Sequence, residues 1–68
     1  MTLFDLAENI KQRRNILDIT QEHLAEMAEI GLRTLKKIES GKGNPTIATV
    51  NKLAAILGME LTLKIKEL

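Results

Sequence analysis

The stretch from Thr20 to Gly41, TQEHLAEMAEIGLRTLKKIESG, constrains the chain most, because it holds two apolar stripes of helical period with only a three-residue break between them. Thr20 can cap the first stripe, whose Leu24, Ala25 and Ala28 fall on one face. The pattern stops at Glu29, Ile30 and Gly31. Ile30 can plug the space between two helices, and Gly31 can serve as N-cap of the next. The second stripe starts at Leu32 and runs to about Ser40, turning Leu35 and Ile38 inward and Arg33, Lys36 and Lys37 outward, with Gly41 in the usual stop position. The spacing therefore predicts a helix, a tight turn and a second helix with one face packed and the other free.

The free face is cationic. Between Arg33 and Lys42 stand four cations, Arg33, Lys36, Lys37 and Lys42, against the single anion Glu39, while Glu22, Glu26 and Glu29 gather on the preceding helix. The net charge of +1 says nothing about nucleic acid, and a run of this kind alone suits a solvated helix face. Placed on the second helix of a helix-turn-helix, it suits contact with phosphates and bases.

These residues carry a resemblance. Gln21, Leu24, Ala25, Ile30, Thr34, Leu35, Ile38, Glu39 and Gly41, with Arg14 seven residues before Gln21 and Pro45 after the Gly41 turn, match the pattern of the Cro/cI-like (XRE-type) helix-turn-helix regulators over residues 6 to 58. Two positions depart from it. Glu29 stands where the family usually has glycine, and so must accept or avoid a left-handed conformation; Gly31 stands where serine or threonine usually caps.

The resemblance implies an all-α, lambda-repressor-like domain over residues 1 to 58, with the second helix presented to DNA. It implies that Gln21 meets the DNA backbone from the first turn of its helix. Leu32, Arg33 and Lys37 are implied as base readers, and Lys36 as a backbone contact or a neighbour to them. Arginine can take guanine O6 and N7 together, lysine can do so less rigidly, and leucine can meet a thymine methyl. Thr34 is open between packing and a hydroxyl contact, and the loop with Lys42 and Asn44 would lie over a phosphate. Arg14 and Glu39 are implied as a partly buried ion pair tying the first helix to the recognition helix, so that Glu39 does not oppose phosphate.

The rest of the chain supplies scaffold. Thr2 and Asp5 fit a capping box, and Leu3, Leu6, Ala7, Ile10 and Leu17 then share a face, before a connector of Leu17, Asp18 and Ile19. Thr46 caps a helix in which Ile47, Val50, Leu53, Ala54 and Leu57 recur at helical spacing up to Gly58. From Met59 to Leu68 the period changes to two: Leu61, Leu63 and Ile65 alternate with Thr62, Lys64 and Lys66. That pattern predicts a strand over residues 59 to 68 with no partner in its own chain, best paired with its copy across a two-fold axis. Such a ribbon after the helices is similar to antitoxins of the HipB type. That likeness implies a homodimer, with a HipA-like kinase toxin as a further partner.

Sixty-eight residues bury only roughly 60% of their unfolded surface, which makes dimerisation a natural source of stability. With no cysteine and one histidine, disulfides and thiolate metal sites are excluded and no metal or cofactor is expected. His23 has no nucleophile signature near it, and there is no glycine-rich phosphate loop, so enzymatic activity is not expected. No signal-peptide core and no run near the ~20 apolar residues of a membrane span is present, which points to a cytoplasmic bacterial protein, at the nucleoid when bound to DNA. The expected function is a dimeric repressor on a pseudo-palindromic operator of double-stranded DNA, autoregulatory, as the antitoxin of a HipA/HipB-like pair. A stand-alone phage-type or metabolic repressor, and an interaction module that has lost DNA binding, are the alternatives.

Overall fold

Among the described residues four short helices follow one another: α1 (Leu3–Ile16), α2 (Gln21–Met27), α3 (Leu32–Glu39) and α4 (Ile47–Ile56). The computed structural model describes residues 1–66. Three of the helices start on a side chain that takes up a first-turn amide, one of the donors a helix cannot satisfy from within itself. Thr2 and Asp5 form a reciprocal capping box, while Thr20 accepts from the His23 amide and Thr46 from the Thr49 amide. Gly31 caps α3 in extended conformation with no side chain to offer.

The helices enclose one core of Ile10, Leu24, Ala25, Ala28, Leu35, Ile38, Leu53 and Leu57, with Leu6, Ile19, Ile30, Leu32, Ile56 and Met59 packed around it. Ile30 sits half-buried in the break between α2 and α3. Glu29 accepts the left-handed conformation, at φ 56°, as does Asp18, at φ 57°. Each is a single non-glycine residue at a chain reversal, where the strain is outweighed by the packing on either side.

At the ends of two apolar stripes and in the tail the structure departs from the sequence pattern; Ile47, grouped with the stripe of α4, is its first residue and is 70% exposed. Leu3 and Leu17 were expected on the buried face of α1 but are 43% and 39% exposed. Leu3 is the first helical residue and Leu17 lies at the C-cap, beyond the last full turn; between Ile10 and that end the stripe passes to Arg13 and Arg14. The departure in the tail is the strand expected over residues 59 to 68. Among the described residues no strand is present: 59–66 carry no ladder, and residues 67 and 68 lie outside the described residues. A strand exists by pairing, and one chain offers this segment no second edge. The domain is all-α, with Leu63 and Ile65 fully open to solvent.

Two glycines near α3 behave oppositely. A Cβ on Gly43 would stand 3.1 Å from the Ile38 amide nitrogen and 3.2 Å from the Lys37 carbonyl carbon, because the loop folds back so that the Gly43 amide donates to the Lys37 carbonyl. A Cβ on Gly31 meets nothing closer than Thr34 Oγ1, at 3.7 Å. Gly43→Ala should therefore cost about 1 to 3 kcal/mol by overpacking against backbone. Gly31→Ser should stabilise by a few tenths of a kcal/mol by supplying the missing cap. Thermal melts of both variants check this; a midpoint for Gly43→Ala at or above wild type would contradict the close approach.

Candidate nucleic-acid interface

In α3, residues three and four apart share a face, and the sequence LRTLKKIE divides accordingly. Leu35, Ile38 and Glu39 are buried, while Arg33, Thr34, Lys36 and Lys37 are exposed. The buried glutamate is the unusual member. Its two carboxylate oxygens accept from Arg14 Nε at 2.8 Å and Arg14 Nη2 at 2.9 Å, a bidentate pair that also extends from Arg14 Nη1 to the Ile19 carbonyl at 2.9 Å. The side chains are only 13% and 3% exposed, and the Glu39 hydrogen bond holds the Arg14 guanidinium above its ordinary value against the opposing pull of burial. No buried side-chain polar atom is left without a partner among the described residues.

This pair changes the electrostatics of the face above it. Glu39, the one anion of the Arg33 to Lys42 stretch, is withdrawn into the protein and neutralised by Arg14. Arg33, Lys36, Lys37 and Lys42 all remain exposed, and none forms an ion pair among the described residues. The exposed charges of α3 are all cationic.

The residues singled out in the sequence line adjoining hollows along this side. Leu32, Arg33, Lys36, Lys37 and Ser40 surround an open groove over α3. Lys36 shares a second hollow with Lys11, Arg14, Gln21 and Glu39, and Lys37 shares a third with Thr34, Ile38, Gly43, Asn44 and Pro45. The lysines thus join α2's first turn, α3 and the following loop into one surface. Leu32 is half-buried against the core and forms part of the groove wall, whereas Arg33 is fully outward. Thr34 and Asn44 are exposed at the loop side, and Lys42 lies beyond the hollows, its amide directed to the Lys37 carbonyl. Leu61, Leu63 and Ile65 are not part of this surface.

Three features escaped the sequence pattern. Gln21 Nε2 donates to Glu39 Oε1 at 3.1 Å, so the same carboxylate that binds Arg14 also orients Gln21 and leaves one amide hydrogen for another acceptor. Gly43 permits the loop to approach α3, and Arg13 reaches the end of α4, with Nε donating to the Leu57 carbonyl at 2.7 Å. The Gln21 and Arg13 contacts span 18 and 44 residues and Gly43 lies in a loop that folds back on the end of α3, and helical periodicity carries no signal for any of them. His23 is exposed and its ring makes no hydrogen bond among the described residues, where no cluster of three or more metal-binding side chains occurs either. No helix is long and apolar enough to cross a membrane among the same residues.

A family profile described as Helix-turn-helix matches residues 10–64. The chain is also similar to an uncharacterized HTH-type transcriptional regulator of Methanothermobacter thermautotrophicus, at 33% identity over 51 residues that cover 75% of this chain and 74% of the relative.

Removing the Glu39 carboxylate leaves Arg14 charged and stranded, so Glu39→Ala should cost roughly 3 to 5 kcal/mol, against about 0.5 kcal/mol for an exposed change such as Arg33→Ala. Urea titrations of the two variants followed by circular dichroism make the comparison; equal midpoints would mean that the pair does not hold the fold together.

Proposed function

The chain belongs to the helix-turn-helix family, and from that premise we propose that it is a sequence-specific DNA-binding transcriptional repressor, dimeric on a pseudo-palindromic operator. The observation that carries this reading is the surface running from Gln21 across Leu32, Arg33, Thr34, Lys36 and Lys37 to Lys42 and Asn44, whose four exposed cations form no ion pair among the described residues while Glu39 beside them is buried and held by Arg14. Its cations supply the phosphate contacts that give affinity, while a protruding arginine beside a fixed leucine supplies base contacts that give sequence preference. No enzymatic step is assigned to it.

Dimerisation is assigned to residues 59–68. Leu61, Leu63 and Ile65 alternate with polar residues, and Leu63 and Ile65 are fully exposed, which is a cost in water that pairing with a second copy would remove. Antiparallel pairing centred on Leu63 sets Leu61 opposite Ile65 and Glu60 opposite Lys66 of the partner chain, keeping like with like on the apolar face and opposite charges on the other. Two half-sites then lie about one helical turn apart, ~34 to 36 Å. An antitoxin role beside a HipA-like kinase toxin, with autoregulation, rests on this segment alone. A stand-alone repressor needs no more than the surface itself, and either acts in the cytoplasm.

Selection of an operator from random duplexes, followed by variant binding, tests the reading. Arg33→Ala should cost about 1 to 3 kcal/mol on the selected operator and little on random DNA. Lys42→Ala should weaken both alike and lower the salt slope by about one unit. Failure to select any sequence, or salt-independent binding, would leave an interaction module in place of a regulator. For the dimer, Leu63→Asp should sediment as a folded monomer where wild type sediments as a dimer. Equal sedimentation of the two would remove the ribbon.

A further inference from the structure

Two adjacent arginines leave α1 toward different ends of the molecule. Arg14 goes to the recognition helix. Arg13, which belongs to no part of the DNA surface, donates from Nε to the carbonyl of Leu57, the C-cap of α4. This is the one side-chain hydrogen bond from α1 to the end of α4 among the described residues. A guanidinium suits that position because the last carbonyls of a helix lack intrahelical partners and carry the negative end of its dipole.

The chain then leaves α4 under tight control. Gly58 turns at φ 72°, with the site of an added Cβ 3.2 Å from Arg13 Nη2. The Met59 amide bonds back to the Ala54 carbonyl at 2.8 Å, and the Met59 side chain packs on the core. Three consecutive residues, Leu57, Gly58 and Met59, are therefore held in place. Glu60, set opposite Lys66 of the partner chain in the pairing given above, follows them directly. A joint with no free residue between the domain and the paired segment passes direction on with little slack.

The geometry points to Arg13 as a positioning residue that sets the half-site spacing the dimer accepts. By clamping the Leu57 carbonyl it fixes the angle at which residues 59–66 leave the domain, and hence the placement of each recognition helix about the two-fold axis, without touching DNA. This rests on the dimeric reading given above. Double-helical DNA makes the angle matter, since each added base pair turns one half-site by about 35° and moves it by roughly 3.4 Å relative to the other. A dimer with stiff joints fits one spacing, and a dimer with loose joints fits several less selectively.

The test uses the full chain and duplexes carrying the selected half-site as an inverted repeat, with the spacer shortened or lengthened by one and two base pairs, beside a duplex with a single half-site. Wild type should prefer one spacer by about tenfold or more over its neighbours. Arg13→Ala should bind the single half-site as wild type does, yet discriminate among spacers by no more than about threefold. Gly58→Ala, which disturbs the same joint while keeping Arg13, should flatten the profile likewise, and it decides the matter if Arg13→Ala does not fold. A variant profile as sharp as that of wild type would overturn the role of Arg13 and leave the dimer intact. A flat wild-type profile with affinity above that for the single half-site would overturn the role of Arg13 alone, and one no tighter than the single half-site would overturn the dimer as well.

Discussion

The bidentate contact between Arg14 and Glu39 is the interaction on which the rest of the structure depends. It joins α1 to α3 across 25 residues of sequence, takes in the Ile19 carbonyl at the end of the connector, and orients Gln21 through a shared oxygen. Burying two charges costs several kcal/mol per ion before their attraction is counted, so such a pair contributes less to net stability than its geometry suggests. What it supplies here is position. The planar guanidinium fixes the carboxylate along two directions, and the carboxylate in turn fixes the angle at which α3 leaves the core.

The same contact has an electrostatic consequence that no apolar pair would have. A leucine at residue 39 could pack, but it would not hold the Gln21 amide or require Arg14 beneath it. With Glu39 consumed internally, the four exposed cations from Arg33 to Lys42 act without an opposing charge on their own helix. Fold and function meet in one carboxylate.

Around this pair the domain achieves order with few apolar groups. Its core holds five large side chains that are fully buried, Ile10, Leu24, Leu35, Leu53 and Leu57, and a core of that size leaves little margin over chain entropy. Backbone devices carry a correspondingly large share: three side-chain caps, left-handed residues at Asp18, Glu29, Gly41 and Gly58, and the fold-back of Gly43 onto α3. The exposed Leu63 and Ile65 offer the remaining apolar surface, and a small domain gains most from covering it.

Whatever depends on near neighbours is set by the residues alone. Caps at Thr2, Thr20 and Thr46, the break at Glu29 to Gly31, and the division of α3 into a packed and a cationic face are all set by residues one to four apart, the range over which a helix brings side chains together. That is why the candidate surface is legible as a set of residues in the sequence. Tertiary packing fixed what lies beyond the reach of one helix: that Leu3 and Leu17 lie outside the core while Arg13 and Arg14 take over the lower part of the stripe, that Gln21 shares the Glu39 carboxylate, and that the loop after α3 folds back so that Gly43 must lack a Cβ. It also decided that residues 59–66 are not a strand within one chain, because alternation fixes only which side chains share a face, whereas a strand requires a second backbone to receive its hydrogen bonds.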